Sequence, residues 1–200
     1  MTESILNWYG KPVILASKSP RRKEILKLAG FQFQIHASNY HEPGNEDERP
    51  EKLVQTHAYH KSNEIAGYYD DAWIIGADTI VVKDQNILEK PKNRDDAISM
   101  LSLLSGATHQ VFTGYCVMNS QNGSHFTDVE QTDVTFRELS SDIIEHYVDN
   151  YHPFDKAGSY GIQDYSAIFV RKIDGCFYNV VGFPIAKFFQ QIHLQLKSLL

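Results

Sequence analysis

Two hydrophobic periods alternate along this chain, and their order restricts the fold more than any other feature. Val13 to Ala16 is a short apolar run, read as a buried strand. Ser19-Pro20 follows as a helix cap with proline at the first helical position. The helix predicted there carries Ile25, Leu26 and Ala29 and stops at Gly30. Phe31, Phe33 and Ile35 alternate with polar residues and predict a second strand. Pro50 opens another helix, with Leu53, Val54, Ala58 and Ile65 at helical spacing. Trp73 to Val82 (WIIGADTIVV) is a strand pattern interrupted by a small polar segment, and Asn93 can cap a helix bearing Ala97, Met100, Leu101 and Leu104. Later the rhythm changes. Strands near Gln110 to Met118 and Phe126 to Phe136 flank the turn signal Asn122-Gly123. Ser140 or Ser141 starts a helix through Tyr147, and Ile168 to Ile173 with Phe177 to Val181 predict a hairpin around Asp174-Gly175. A last helix begins near Pro184 and is expected to bury Phe188, Phe189, Ile192, Leu196 and Leu199. Strands alternating with helices early, then hairpins, predict an α/β protein on a mixed sheet.

With 200 residues and 42% apolar side chains, the chain can fill a core unaided, as one domain over residues 1–200 with room for two lobes on one sheet. Nineteen Lys and Arg against 25 Asp and Glu leave a net charge of −6, so no basic surplus favours nucleic acid as a partner. Cys116 and Cys176 are too few for a disulfide framework or a four-cysteine zinc site, and both fall in strand patterns where they can pack as small apolar groups. No apolar run approaches the roughly 20 residues of a membrane helix. The segment MTESILNWYGKP lacks a long apolar stretch and does not read as a signal peptide, so a cytoplasmic protein is expected. Asn39 to Pro50, acidic and holding two prolines and a glycine, is the most loop-like stretch.

The chemistry-bearing candidates lie at element ends. Ser17-Lys18-Ser19-Pro20-Arg21-Arg22-Lys23 puts basic residues where a strand feeds a helix amino terminus, a place that favours anions. Arginine there can add a bidentate fork to phosphate. Three basic residues in succession oppose the helix dipole, a local conflict that marks either a site or a merely solvated first turn. No Walker loop or GxGxxG is present. Asp78, in Gly76-Ala77-Asp78-Thr79, is a carboxylate inside an apolar strand, costly unless paired or metal-bound. It can bind magnesium or act as a base toward water, and Glu42 can complete a metal site with it. Lys61 falls on the apolar helix face, where it either snorkels to solvent or points into a cleft. Glu89-Lys90-Pro91 and Asp155 to Gln163 (DKAGSYGIQ) supply charged groups from loops. His57 and His60 read as surface or packing residues, with no HExxH, and no GxSxG elbow is present.

Taken together and in order, LASKSPRRKEIL, GADTIVV, EKP, DKAGSYGIQ and FYNVVGFPI resemble the Maf family of nucleoside triphosphate pyrophosphatases, from about Ile14 to Ile185. The resemblance implies an inosine-triphosphatase-like fold: a mixed twisted sheet with flanking helices and two lobes around a cleft. It implies hydrolysis of a nucleoside triphosphate between the α- and β-phosphates, with magnesium or manganese as cofactor, in a cytoplasmic homodimer. Carried over position by position, Asp78 matches the proposed proton acceptor and Glu42 a carboxylate near the metal. Ser17, Arg22, Lys61, Lys90 and Lys156 match polar or cationic positions of the cleft. Arg21, Thr79 and Gln163 match the positions that separate branches by base preference, and look like the thymidine and uridine triphosphate branch. Two departures are visible. Many relatives have two adjacent acids where this chain has His41-Glu42, which makes Asp155 a candidate to compensate as a metal ligand. After Gln163, relatives carry a glycine-rich stretch where this chain has Asp164-Tyr165-Ser166.

On this reading Arg22, Lys61, Lys90 and Lys156 converge on the triphosphate, and an ion held by Asp78 and Glu42 bridges phosphate oxygens. A carboxylate beside a divalent ion has a lowered pKa and is a poor base, so Asp78 is weighted toward metal binding. Gln163 can both donate to and accept from a uracil or thymine edge, with Thr79 and Arg21 as further donors. Two alternatives are a non-catalytic nucleotide-binding regulator of cell division and a cleanup hydrolase for modified pyrimidine nucleotides.

Overall fold

The computed structural model describes residues 8–43 and 48–200. The amino-terminal stretch through residue 7 and the acidic centre of the predicted loop, residues 44–47, lie outside the described residues. The strands are β1 (Val13–Leu15), β2 (Gln34–Ile35), β3 (Trp73–Lys83), β4 (Asn86–Leu88), β5 (Thr108–Asn119), β6 (His125–Phe136) and β7 (Val170–Asp174). They form one seven-stranded sheet in the order β2-β1-β3-β5-β6-β7, with β4 added to β3. β1 pairs in parallel with β2 and β3, and every other pairing is antiparallel, so the sheet is mixed as expected.

The helices are α1 (Pro20–Leu28), α2 (Pro50–Ala66), α3 (Arg94–Leu104), α4 (Ser141–Tyr151), α5 (Phe177–Val181) and α6 (Ile185–Gln195). Ser19, Asn93 and Ser140 cap α1, α3 and α4 by accepting from a backbone N–H three residues on. Alternation along the strands sorts the core into two faces. Trp73, Ile75, Ala77, Val111 and Tyr115 pack with side chains of α1, α3, α4 and α6. Ile14, Ile74, Ile80, Phe112 and Cys116 face the other way and meet α2 through Leu53, Val54, Ala58 and Ile65.

α2 lies unusually close to the sheet because two glycines sit beneath it. A Cβ on Gly76 would stand 2.4 Å from the Ala58 carbonyl oxygen and 2.5 Å from Ser62 Oγ, and one on Gly114 2.6 Å from the Val54 carbonyl. The backbone of α2 occupies the space those side chains would need.

Some expectations are corrected. Phe177–Val181 is a helix, not the second arm of a hairpin: Gly182, at φ 121°, ends it, and the buried Asn179 side chain donates to Val111 O and Thr132 Oγ1. Cys176 therefore precedes a helix, while Cys116 is buried in β5 as expected. The strand expected over Phe31 to Ile35 pairs only at Gln34 and Ile35, and Ile35 is exposed. β3 runs without interruption to Lys83. Phe189 is not buried, and Leu196 and Leu199 are buried from a 3-10 turn beyond α6. Among the described residues no helix is long and apolar enough to cross a membrane.

Candidate active site

The site forms where β3 lacks a neighbour. β1 covers β3 at Trp73 to Ile75, and β4 covers it at Val81 to Lys83. Between these partners Gly76 to Ile80 presents an open edge on that side. Its Ala77 carbonyl accepts from Arg22 Nη1 at 2.9 Å and Lys61 Nζ at 3.3 Å, so two cations take the place of a strand. Here Asp78 faces α2 and Thr79 faces α1, since successive residues point to opposite faces.

A cleft of about 630 Å³ opens over this gap. Ser17, Arg21, Arg22, Glu42, Lys61, Asp78, Thr79, Lys90, Lys156 and Gln163 all line it, so every predicted site residue meets there. They come from the β1–α1 junction, the loop before α2, α2, β3, the β4–α3 loop and the loop after α4. Lys61 does not snorkel. It is 8% exposed, and its ammonium donates to Asp78 Oδ1 at 2.7 Å and Glu42 Oε1 at 2.6 Å. The two carboxylates therefore converge on one cation. Burial alone would raise the Asp78 pKa, but the charge and hydrogen bond of Lys61, with Arg22 and His57, hold it below the usual carboxylate value. Asp78 is ionised at neutral pH.

Arg22 is committed to the frame. Nε donates to Gly182 O at 2.9 Å, Nη1 to Ser17 Oγ at 3.1 Å and to Ala77 O, and Nη2 to Thr79 Oγ1 at 2.9 Å. Of its five N–H groups only one on Nη2 is left, so Arg22 offers charge to an anion but not the bidentate fork expected of it. Thr79 is spent in the same frame. It accepts from Arg22, and because Thr113 Oγ1 gives its proton to Asn179 O, the Thr79 hydroxyl at 2.9 Å donates to Thr113. That removes the donor Thr79 was expected to offer a base.

Lys90 is exposed at the rim. Lys156 donates to Asp155 Oδ1 at 2.7 Å, and Arg21 donates to Asp155 Oδ2 at 3.0 Å. Asp155 thus engages these two cations rather than Lys61, and among the described residues no third acid, histidine or cysteine joins Asp78 and Glu42 as a compensating metal ligand would. Gln163 is exposed in the cleft wall.

Two contributors, Tyr40 and Glu64, are not among the predicted residues, and a third, His57, is expected from the sequence only as a surface or packing residue. Tyr40 lines the cleft and stacks on His60 at 5.0 Å; slight burial, then Glu42 and Asp78, raise its pKa. Glu64 accepts from Ser38 Oγ and from the backbone N–H groups of Asn39 at 3.0 Å and Tyr40 at 2.9 Å, fastening the segment that leads to Glu42. His57 is 4% exposed and lines the cleft one helical turn before Lys61; that spacing was the signal available for it.

A model of the family described as Maf-like protein matches residues 12–194. Similar relatives include three proteins named dTTP/UTP pyrophosphatase. That of Bacillus pumilus (strain SAFR-032) is 50% identical, over 88% of this chain and 92% of its own length. That of Alkaliphilus metalliredigens (strain QYMF) is 47% identical, over 90% and 94%. That of Geobacillus sp. (strain WCH70) is 44% identical, over 91% and 97%.

Proposed function

This chain belongs to the Maf family, and from that membership and the residues of its cleft we propose that it hydrolyses dTTP and UTP between the α- and β-phosphates, giving the nucleoside monophosphate and pyrophosphate. The observation that carries this reading is the convergence of Asp78 and Glu42 on Lys61 at the closed end of a cleft whose rim bears Lys90 and Lys156. Paired acids suit a divalent ion, and rim cations suit a polyphosphate.

The donor set fits magnesium or manganese. Both ions prefer hard oxygen ligands, and magnesium in particular is held by one or two carboxylates plus substrate phosphates. Asp78 and Glu42 are such a pair, drawn together by one ammonium and, at Asp78, held ionised. When bound, the ion supplies charge neutralisation on phosphate oxygens. Asp78 and Glu42 would hold it, and the low pKa of Asp78 suits a ligand better than a proton acceptor. Lys61 keeps the two acids together and screens their repulsion. Lys90 and Lys156 take phosphate oxygens as point charges, and Arg22 adds a buried positive charge behind them. Ser17 and the amino end of α1 complete the anion-favouring wall. Gln163 reads the base edge, with Arg21 beside it. A homodimer in the cytoplasm completes the reading.

The test is a panel of UTP, dTTP, CTP and GTP with magnesium, followed by phosphorus NMR. Pyrophosphate from UTP and dTTP is expected, abolished by a chelator that leaves the melting temperature within about 2 °C, because Lys61 and Arg22 together already balance the acids. Release of single phosphate, or a preference for GTP, overturns the assignment.

A further inference from the structure

We propose that Asp164 is a positioning residue for base selection, acting through the loop that carries Gln163; the inference rests on the reading above that Gln163 faces the base. Asp164 directly follows Gln163 in the chain. In the fold it turns back into its own loop. Its Oδ1 accepts from the Ser166 backbone N–H at 3.0 Å, lies 2.9 Å from Ser166 Oγ, and accepts from the Tyr147 hydroxyl at 3.2 Å. Ser166 Oγ in turn accepts from Gly161 N at 3.1 Å and lies 2.8 Å from Gly161 O, while Asp164 N donates to Gly161 O at 3.0 Å. The loop from Gly161 to Ser166 is thus closed on itself and pinned to α4.

The pin is rigid. Tyr147 is fully buried, and its ring stacks with Tyr151 at 5.5 Å and Tyr165 at 6.1 Å. Burial, with Asp164 nearby, raises the Tyr147 pKa, so the hydroxyl stays a donor. Asp164 Oδ2 also lies 3.8 Å from Lys156 Nζ, and Gly161 separates the two so tightly that a Cβ there would be 2.8 Å from both Asp164 Oδ2 and Lys156 Cε. Gln163, Asp164, Gly161, Lys156 and Arg21 line a recess of about 180 Å³ joined to the main cleft by shared residues.

Orientation matters because a glutamine amide is nearly symmetric. One way round it donates to a uracil carbonyl and accepts from the ring N–H. Flipped, it presents the reverse pattern, which suits the amino group and ring nitrogen of cytosine. The flip turns about the amide's own Cγ–Cδ bond, so the pattern shown to the base is set by the neighbours of the amide, the donor-only side chains of Arg21 and Lys156 in the same recess; Gln163 stays in register with them only while its backbone is held, and Asp164 holds it.

The experiment measures kcat/KM for UTP and CTP in the wild type and in D164A, D164N and Y147F, with melting temperatures alongside. D164A is expected to lower the UTP-over-CTP preference about tenfold, and Y147F a few-fold, as hydrogen bonds to the loop are lost. D164N keeps the acceptor and is expected to keep the preference, while KM moves alike for both nucleotides through Lys156. A lower melting temperature in D164A with an unchanged preference marks a merely structural residue and overturns the proposal; if D164A does not fold, an unchanged preference in Y147F does the same. A wild type without preference for UTP over CTP also overturns it. A wild type that releases no pyrophosphate from UTP or dTTP overturns the proposed function and this inference together.

Discussion

Replacing Gly76 by alanine tests whether the seat of α2 sets the catalytic geometry. The added Cβ would stand 2.4 Å from Ala58 O and 2.5 Å from Ser62 Oγ. Ordinary contact needs about 1 Å more, so α2 must lift by that amount or the strand must sink. Lys61 lies between Ala58 and Ser62 on that helix, and its ammonium reaches Asp78 at 2.7 Å and Glu42 at 2.6 Å. A shift of about 1 Å breaks both contacts. Overpacking of this kind costs about 1–3 kcal/mol, which lowers the melting temperature by roughly 3–10 °C in a chain of this size. Misplacing catalytic groups by about 1 Å costs roughly 100-fold in turnover. Gly67→Ala is the control: φ is −63° there and the nearest neighbour of the new Cβ is 3.6 Å away, so no loss is expected. The assay pairs calorimetry with pyrophosphate release from UTP. A G76A protein that melts and turns over like the wild type refutes the argument that the glycine seats Lys61.

Two further outcomes follow from the same contacts. Asp78→Asn keeps the shape but removes the carboxylate that suits the ion, so pyrophosphate release should fall at least about 100-fold while calorimetric titration still detects nucleotide; unchanged turnover would remove Asp78 from the mechanism. His109, 1% exposed, has its pKa pushed down to about 4 by burial and then Lys83; its Nε2 lies 2.8 Å from Tyr160 Oη, and Nδ1 has no hydrogen-bond partner among the described residues. Between pH 6.5 and about 4 the unfolded chain takes up a proton that the folded chain refuses, so stability falls with acidification, by about 2 kcal/mol at pH 5. His109→Phe should flatten that limb in urea titrations at pH 7 and 5, and an unaltered slope would show that the ring is not the group refusing the proton.

Much of the architecture could be read directly. Ser19-Pro20, Asn93 and Ser140 announce helix starts through chemistry that does not depend on the rest of the chain, and Asn122-Gly123 does the same for the β5–β6 turn. Phe177–Val181 departs from the predicted strand: its β-branched and aromatic residues favour a strand locally, while the tertiary bonds of Asn179 and the positive φ of Gly182 belong to a helix. β4 follows Asp84 and Gln85, both at positive φ, which is not a turn pair that sequence alone identifies. The candidate site was legible as a set of residue types. Its wiring was not: the commitment of Arg22 to Gly182, Ser17, Ala77 and Thr79 depends on the open edge of β3, which exists because β1 stops at Leu15. Whether Lys61 would bend outward or inward was likewise decided by Gly76 and Gly114, remote from it in sequence.

The ammonium of Lys61 has a bearing on order of arrival. With Arg22 nearby, two positive charges already balance the two acids, so a bare divalent ion gains little by entering alone. A triphosphate carrying its own cation would change that balance, with Asp78 and Glu42 as the acids that would hold the ion and Lys90 and Lys156 available for the surplus negative charge. On the proposed function such a cleft favours nucleotide and ion arriving as one species, with Lys61 keeping Asp78 and Glu42 paired until they do.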